Sequence, residues 1–287
     1  MSESIIEHIL SPKEKDLGDG FVVRRTLPSI QKRMVGPFVF WDHLGPVELH
    51  GDKNMLVRAH PHIGLATITW LFSGEILHRD SLGNEQSIRP GEVNWMTAGR
   101  GIVHSERALD CTLEAIQLWV ALPEDKEDID PKFEHRKESE LPLIENDNFK
   151  LRLIVGRALG VESPIEVHSD IFYLSGNIKK SSSFEFDLLQ NQEGAIYLTR
   201  GELVVEGNKV TPGTMIIFKQ GSQISFESTE ESEFMLLGGD KFEKTPSLWW
   251  NFVSHNKEKM EKAKTDWKNG NFPKVINETE FIPLPKE

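Results

Sequence analysis

The sequence predicts an all-β fold, with two barrels in tandem and a short C-terminal helix. In residues 58–120, glycine-marked turns recur roughly every eight to ten residues and separate stretches rich in β-branched and aromatic side chains, a pattern typical of a sandwich or barrel. Residues 194–237 follow the same plan. A separate amphipathic pattern near the C-terminus predicts the helix.

The two barrels share the order of their turns, which indicates an internal duplication. In the first barrel the clearest strands are residues 65–72 and 93–97. A Gly-Asn turn and a Pro-Gly turn occur in the same order in both barrels, at offsets of 124 and 122 residues; they are Gly83-Asn84 and Pro90-Gly91 in the first, and Gly207-Asn208 and Pro212-Gly213 in the second.

A charged segment separates the two series. Residues 124–140 contain twelve charged residues in seventeen, which predicts a solvated connection at the domain boundary. We expect an N-terminal barrel at 1–135, a C-terminal barrel at 136–245, and a helix and tail at 246–287 that pack back on the barrels.

The C-terminal helix has recognisable ends. Ser254 is predicted to cap a helix that runs to about Lys268, with Met260, Ala263 and Trp267 on one stripe and a glycine stop after it.

Composition excludes several classes of protein. A net charge of −12 argues against direct binding to nucleic acid, which needs a concentrated basic surface. No apolar run approaches the roughly 20 residues of a membrane span, and the acidic N-terminal stretch does not match a secretion signal, so we expect a cytoplasmic protein. Cys111 is the only cysteine, which excludes an internal disulfide framework and a thiolate metal cage.

Two alternating triplets, His60-Pro61-His62 and His104-Ser105-Glu106, are the strongest chemical signal. In a β-strand, residues i and i+2 point to the same face, so each triplet presents two donor side chains together. Three imidazoles and one carboxylate form a complete ligand set for a divalent metal and leave coordination positions open. The triplets meet only if their strands are neighbours, and a polar structural network is the alternative to a metal site.

The second barrel lacks equivalents of these donors. It has no histidine between His168 and His255, and the offset of 122 residues places Phe226 where His104 stands. We therefore expect only the N-terminal barrel to bind the metal.

The donor set favours Fe(II) or Mn(II), because it contains a carboxylate and no thiolate; Ni, Cu and Zn remain open, since imidazole suits them as well. With a divalent ion, three neutral imidazoles and one carboxylate carry a net charge of about +1, which favours an anionic oxygen ligand. Deprotonated flavonols, catechols and enediols are of this kind.

Apolar and aromatic residues surround the triplets in the sequence. They predict either ordinary barrel core or a dry pocket for a flat ligand, and they are Phe38, Phe40, Trp41, Ile63, Trp70, Trp95 and Met96.

Four long motifs lie around the triplets: VGPFVFWDH (35–43), VRAHPHIGL (57–65), HRDSLG (78–83) and RPGEVNWMTAGRGIVHSER (89–107). Together they resemble the motifs of the pirin family of bicupins. The resemblance implies two tandem cupin barrels, each a jelly roll or double-stranded β-helix, with one iron-type ion held by His60, His62, His104 and Glu106. It also implies that Glu106 replaces the usual cupin carboxylate, whose place Thr67 takes.

The resemblance implies functions of two classes. Bacterial members of the family resemble quercetin 2,3-dioxygenases, which open a flavonol with O2 and release carbon monoxide, whereas mammalian members regulate transcription factors through the redox state of their iron. Residues 248–254 are similar to the bacterial branch. We therefore expect an Fe(II) dioxygenase with a flavonol-like substrate, in which Glu106 accepts the substrate's proton. The alternative is a non-enzymatic redox sensor that acts on a protein partner.

Overall fold

The structure is a computed structural model and describes residues 3–16 and 22–285. Within these residues the expected all-β class with one short C-terminal helix is confirmed, and no helix is long and apolar enough to cross a bilayer. The helix is α1 (Lys257–Lys268). The strands are β1 (Ile6–Leu10), β2 (Lys13–Asp16), β3 (Val22–Leu27), β4 (Phe38–Glu48), β5 (Met55–His62), β6 (Leu65–Ser73), β7 (Ile76–Asp80), β8 (Glu85–Ile88), β9 (Val93–Thr97), β10 (Ile102–Ala108), β11 (Thr112–Ala121), β12 (Lys132–Arg136), β13 (Leu143–Glu145), β14 (Phe149–Ala158), β15 (Val161–Glu162), β16 (Ile171–Ile178), β17 (Ser183–Asp187), β18 (Gln192–Arg200), β19 (Leu203–Val205), β20 (Asn208–Val210), β21 (Met215–Phe218), β22 (Gln223–Ser228), β23 (Ser232–Asp240), β24 (Ser247–Trp249) and β25 (Phe252–Ser254).

The chain forms two compact units, and neither is continuous in sequence. Among the described residues, one unit consists of 3–14, 24–40 and 139–242, and the other of 15–16, 22–23, 41–138 and 243–285. We call the second of these the N-terminal barrel and the first the C-terminal barrel, after the segments that contribute most of each. The domain boundaries expected after residues 135 and 245 stay predictions.

The N-terminal barrel is built on two antiparallel sheets. One has the strand order β12-β9-β6-β11-β4-β3-β2 and the other the order β5-β10-β7-β8. The β5–β10 pair is apolar at one end, where Met55 lies opposite Ala108, and polar towards the other, where His60 lies opposite His104. A buried cluster that includes Leu71 and Ile76 fills the apolar end. Along this strand pair the polar residues therefore lie towards one end.

The edge of the four-stranded sheet is strand β5, where a proline is tolerated because no neighbouring strand needs its missing N–H. The C-terminal segment covers this edge on both sides of Pro61. The Val253 N–H donates to the Ile63 carbonyl at 3.1 Å, and the Ile282 N–H donates to the Ala59 carbonyl at 2.8 Å. The C-terminal tail thus packs on the strand that carries the first triplet.

The C-terminal barrel repeats this architecture with an apolar interior. Its four-stranded sheet has the order β17-β22-β19-β20, and its larger sheet has the order β1-β21-β18-β23-β16-β14-β13, with β15 paired to β14. Phe226 is buried in the core cluster and contacts Phe184 and Phe234 with ring centroids 5.3 and 5.0 Å apart. Packing of large aromatic rings stabilises this barrel where the other one holds histidines.

The predicted helix cap is wrong by two residues. Asn256 is the cap, because its side chain accepts a hydrogen bond from the Glu258 N–H at 2.8 Å. The Ser254 hydroxyl instead donates to the buried Glu127 carboxylate at 2.7 Å. The predicted apolar stripe is confirmed, since Met260 is buried against Ile63 and Phe252.

The charged segment at residues 124–140 is also less solvated than predicted. It contains strand β12, whose Phe133 pairs with Met96 of β9. Glu127 is buried and accepts hydrogen bonds from Ser254 and from the backbone N–H of His255. These partners are more than 120 residues away in sequence, so the composition of the segment alone does not reveal its burial.

Candidate metal centre

Three neighbouring strands of the N-terminal barrel bring the donor side chains together. His104 of β10 lies opposite His60 of β5 on one side and opposite Asp80 of β7 on the other, and Glu106 lies opposite His78. The strands of the two predicted triplets are therefore neighbours, as the convergence of their side chains requires.

A β-bulge adjusts the spacing on β5. His104 pairs with His60 and Glu106 pairs with Val57, so β5 has one residue more than β10 across this interval. A bulge of this kind re-aims side chains along a strand. Here it lets Val57 join the apolar cluster while His60 and His62 lie in the polar end.

The three histidines of the predicted set converge. One ring nitrogen from each of His60, His62 and His104 lies within 4.8 Å of the other two, and the Nε2 atoms of His62 and His104 are 3.1 Å apart. All three side chains are buried. Such a cluster of nitrogen atoms matches the spacing of ligands around one first-row metal ion.

Hydrogen bonds to the backbone set the tautomers of two of these histidines. His60 Nδ1 lies 2.9 Å from the Arg58 carbonyl oxygen, and His62 Nδ1 lies 3.1 Å from the Asn251 carbonyl oxygen. A carbonyl only accepts, so each Nδ1 must carry the proton and each Nε2 keeps a free lone pair. Metal-binding histidines are held in the same way by their second nitrogen.

Burial keeps the three imidazoles neutral. It lowers the pKa of His60 to about 4, and it lowers the pKa values of His62 and His104 well below the usual histidine value, with further depression from the neighbouring histidines. A metal requires neutral imidazole. Several nitrogen lone pairs that face one another at this distance also repel unless a cation lies between them. The donor set therefore fits a divalent metal.

Glu106 belongs to a second, overlapping donor group. Its carboxylate lies with ring nitrogens of His78 and His104 within 4.8 Å of one another, whereas it is not part of the cluster that contains His60 and His62. The Thr69 hydroxyl donates to it at 3.3 Å. Burial raises the pKa of Glu106, against smaller opposing effects of His78 and Thr69. His104 is the residue that the two groups share.

His78 is a site residue that the sequence reasoning missed. The signal was present, because His78-Arg79-Asp80 is a third alternating triplet with the same i, i+2 spacing as the other two. His78 and Asp80 are both buried on β7, which pairs with β10.

Two aromatic rings that the sequence did not single out contact the histidines. Trp119 meets His62 edge-on with ring centroids 5.1 Å apart, and Phe133 stacks on His78 at 4.4 Å and an interplanar angle of 13°. Both come from strands of the larger sheet. Among the aromatic residues expected near the site, Trp41, Trp70 and Trp95 are buried in the N-terminal barrel. Phe38 and Phe40 are also buried, but they lie in the first residues of β4, which belong to the C-terminal barrel.

The chain is similar to proteins of one family along its whole length. Residues 20–120 match the family model described as Pirin, and residues 173–273 match the one described as Pirin C-terminal cupin domain. A pirin-like protein of Caulobacter vibrioides is 42% identical, covering 98% of this chain and 100% of the relative.

Two further relatives carry the name of an activity. A Pseudomonas aeruginosa protein provisionally named a quercetin 2,3-dioxygenase is 36% identical over 92% of this chain and 85% of its own length. The crystal structure of a quercetin 2,3-dioxygenase from Acinetobacter baumannii superposes with a TM-score of 0.91 at 35% identity, covering 98% of this chain and 95% of that one.

Proposed function

The chain belongs to the pirin family of two-barrel cupin proteins, and on that premise we propose that it is a metal-dependent dioxygenase that opens a flavonol such as quercetin with O2. The observation that carries the proposal is the convergence of three neutral histidines beside a buried carboxylate inside one barrel. The relatives named for quercetin 2,3-dioxygenase support the choice of substrate class.

In this proposal His60, His62 and His104 hold the metal and Glu106 completes the set. We propose Fe(II), because imidazole and carboxylate donors without a thiolate are typical of non-haem iron oxygenases; Mn(II), which the same donors favour, and Ni, Cu and Zn, which imidazole also binds, are the alternatives. When bound, the ion would supply Lewis-acid binding of the substrate oxygen and the redox chemistry that O2 requires.

Glu106 is proposed to take up the proton of the flavonol 3-hydroxyl. Burial raises the pKa of Glu106 in the metal-free chain, and the role of base is proposed for it because it is the only carboxylate in the proposed ligand set. The donor set favours the deprotonated substrate, because a divalent ion with one carboxylate leaves a net charge of about +1. The Thr69 hydroxyl lies 3.3 Å from the Glu106 carboxylate and 2.8 Å from Oε1 of Gln117.

The histidines lie in aromatic surroundings that are shielded from water, which supports a flat, apolar substrate. Trp119 and Phe133 present aromatic surfaces next to His62 and His78, and all of the donor side chains are shielded from water. Exclusion of water strengthens electrostatic interactions in the site and protects reactive species from hydrolysis.

The test is a turnover assay with purified protein loaded with Fe(II). Incubation with quercetin and O2 should consume the flavonol and release equimolar carbon monoxide together with the cleaved depside, measured by gas analysis and mass spectrometry. Glu106→Gln keeps the size of the side chain and removes its basicity, so at an iron content equal to that of the wild type it should lower kcat by the roughly 10²- to 10⁴-fold of general-base catalysis.

Protein that holds a full complement of iron and forms neither product would contradict the dioxygenase. That outcome would favour the redox regulator, whose partner capture should then differ between the Fe(II) and Fe(III) forms. Unchanged kcat in Glu106→Gln would contradict the proton-accepting role alone.

A further inference from the structure

A buried chain of hydrogen bonds runs from Asp80 through His78 to His104. His78 Nε2 lies 3.1 Å from Asp80 Oδ2, and His78 Nδ1 lies 3.4 Å from His104 Nδ1. We propose that Asp80 and His78 form a positioning pair that fixes the tautomer of His104 and so keeps its Nε2 free to bind the metal. This inference rests on the metal site of the proposed function.

The hydrogen-bond chain has a defined direction, because its first member, the ionised Asp80 carboxylate, only accepts hydrogen bonds. Burial alone would raise the pKa of Asp80, but hydrogen bonds from His78 and Asn84 outweigh it and hold that pKa below its usual value. The ionised carboxylate requires the proton on His78 Nε2, which leaves a lone pair on His78 Nδ1. His104 Nδ1 must then donate to that lone pair, and His104 Nε2 is left unprotonated.

All three histidines then have the same tautomer, with the proton on Nδ1 and a free lone pair on Nε2. His60 and His62 have Nδ1 tied to a backbone carbonyl, whereas the Nδ1 of His104 faces a side chain. Of these three partners, only His78 can both donate and accept, so it alone needs a further residue to set its direction. Asp80 meets that need, as carboxylates do for metal-binding histidines in general.

The duplicated barrel offers an internal comparison. Phe184 lies opposite Phe226 and Leu203 lies opposite Ser228, in the places where the N-terminal barrel pairs His60 with His104 and His78 with Glu106. The C-terminal barrel thus has an apolar residue where His78 stands, and it also lacks the proposed ligands. The positioning residue and the ligands occur together in one barrel and are replaced together in the other.

A second metal ion is the competing explanation for the same residues. His78, His104 and Glu106 also form a group of donor atoms within 4.8 Å of one another. An ion there would require His104 to bind two metals at once as an imidazolate. The hydrogen-bond chain accounts for the same contacts with a neutral imidazole and one ion per chain.

Asp80→Asn tests the proposal with almost no change in volume. Asp80 Oδ1 accepts from the backbone N–H groups of Leu82 and Asn84, so the amide oxygen should take that position and the NH2 group should face His78. His78 would then protonate Nδ1, and His104 would move its proton to Nε2. We expect Co(II) affinity to fall by about 10- to 100-fold, the usual effect of losing an outer partner.

The direct readout is the tautomer itself. Long-range ¹H–¹⁵N spectra of the metal-free protein should report His104 protonated on Nδ1 in the wild type and on Nε2 in Asp80→Asn. The matched control is Asp52→Asn, which makes the same substitution at an exposed aspartate of the same barrel. It should leave both the His104 tautomer and Co(II) affinity unchanged.

Three outcomes would overturn the positioning pair. They are an unchanged His104 tautomer in Asp80→Asn, unchanged Co(II) affinity in that variant, and two Co(II) ions per wild-type chain. If the wild-type protein binds no Co(II) but Asp80→Asn still moves the His104 proton from Nδ1 to Nε2, the metal site of the proposed function is contradicted and the hydrogen-bond chain is supported.

Discussion

Replacing His62 with alanine is expected to reduce divalent-metal affinity by more than the 10- to 100-fold that loss of an outer partner causes, because it removes a donor nitrogen itself. His62 Nε2 lies 3.1 Å from His104 Nε2, at the centre of the proposed ligand cluster. Competition with a chromophoric chelator, with Co(II) and Mn(II) as probes, measures the loss.

His50→Ala is the matched control for this substitution. His50 lies in the same barrel but is exposed, with its Nε2 3.6 Å from Glu48. The His50→Ala variant should bind Co(II) and Mn(II) with the affinity of the wild type. Equal affinity in His62→Ala and His50→Ala would remove His62 from the ligand set.

Acid is expected to destabilise the metal-free protein. The pKa of His60 is about 4 in the folded chain and 6.5 in the unfolded chain. Between these pH values the unfolded state binds a proton that the folded state does not, so stability falls as the pH falls from 6.5 towards 4. The loss from His60 is about 1.4 kcal/mol per pH unit and about 3 kcal/mol in total.

His62 and His104 act in the same direction, since burial lowers their pKa values as well. Glu106 acts in the opposite direction, because its pKa is raised in the folded state and protonation of its carboxylate favours folding. Denaturant unfolding at several pH values, in chelator-treated protein, measures the sum. A stability that rises on acidification over this range would contradict neutral buried histidines.

His60→Asn isolates one contribution. This variant keeps a polar side chain of smaller size that cannot be protonated. Between pH 6.5 and 4 its free energy of unfolding should therefore change less steeply with pH than that of the wild type, by about the contribution of one bound proton. Identical slopes for the two proteins would show that His60 is not buried in its neutral form.

The sequence predicted those parts of the site that follow from local alternation. Two triplets with i, i+2 spacing place four donors on two strand faces. The order of turns that the two barrels share allows them to be aligned, and the alignment predicts that the C-terminal barrel lacks these donors. His78 and Asp80 follow the same rule, but alternation alone does not show that their strand lies next to the strands of the predicted ligands. A third triplet acquires meaning only once β7 is known to pair with β10.

What the sequence could not supply depends on contacts between distant segments. Trp119 and Phe133 reach the histidines from another sheet. The charge of residues 124–140 indicates a solvated connection, yet Glu127 is buried because Ser254 and His255 are its hydrogen-bond partners. The same contact occupies Ser254 and leaves the helix cap to Asn256.

Anomalous diffraction from crystals of the protein loaded with Mn(II) or Fe(II) tests the central claim most directly. We predict a single metal peak in each chain, within about 2.0–2.3 Å of the Nε2 atoms of His60, His62 and His104 and of one Glu106 carboxylate oxygen. A peak bound to His78 and the Nδ1 of His104, or metal bound only at the protein surface, would contradict the proposed centre.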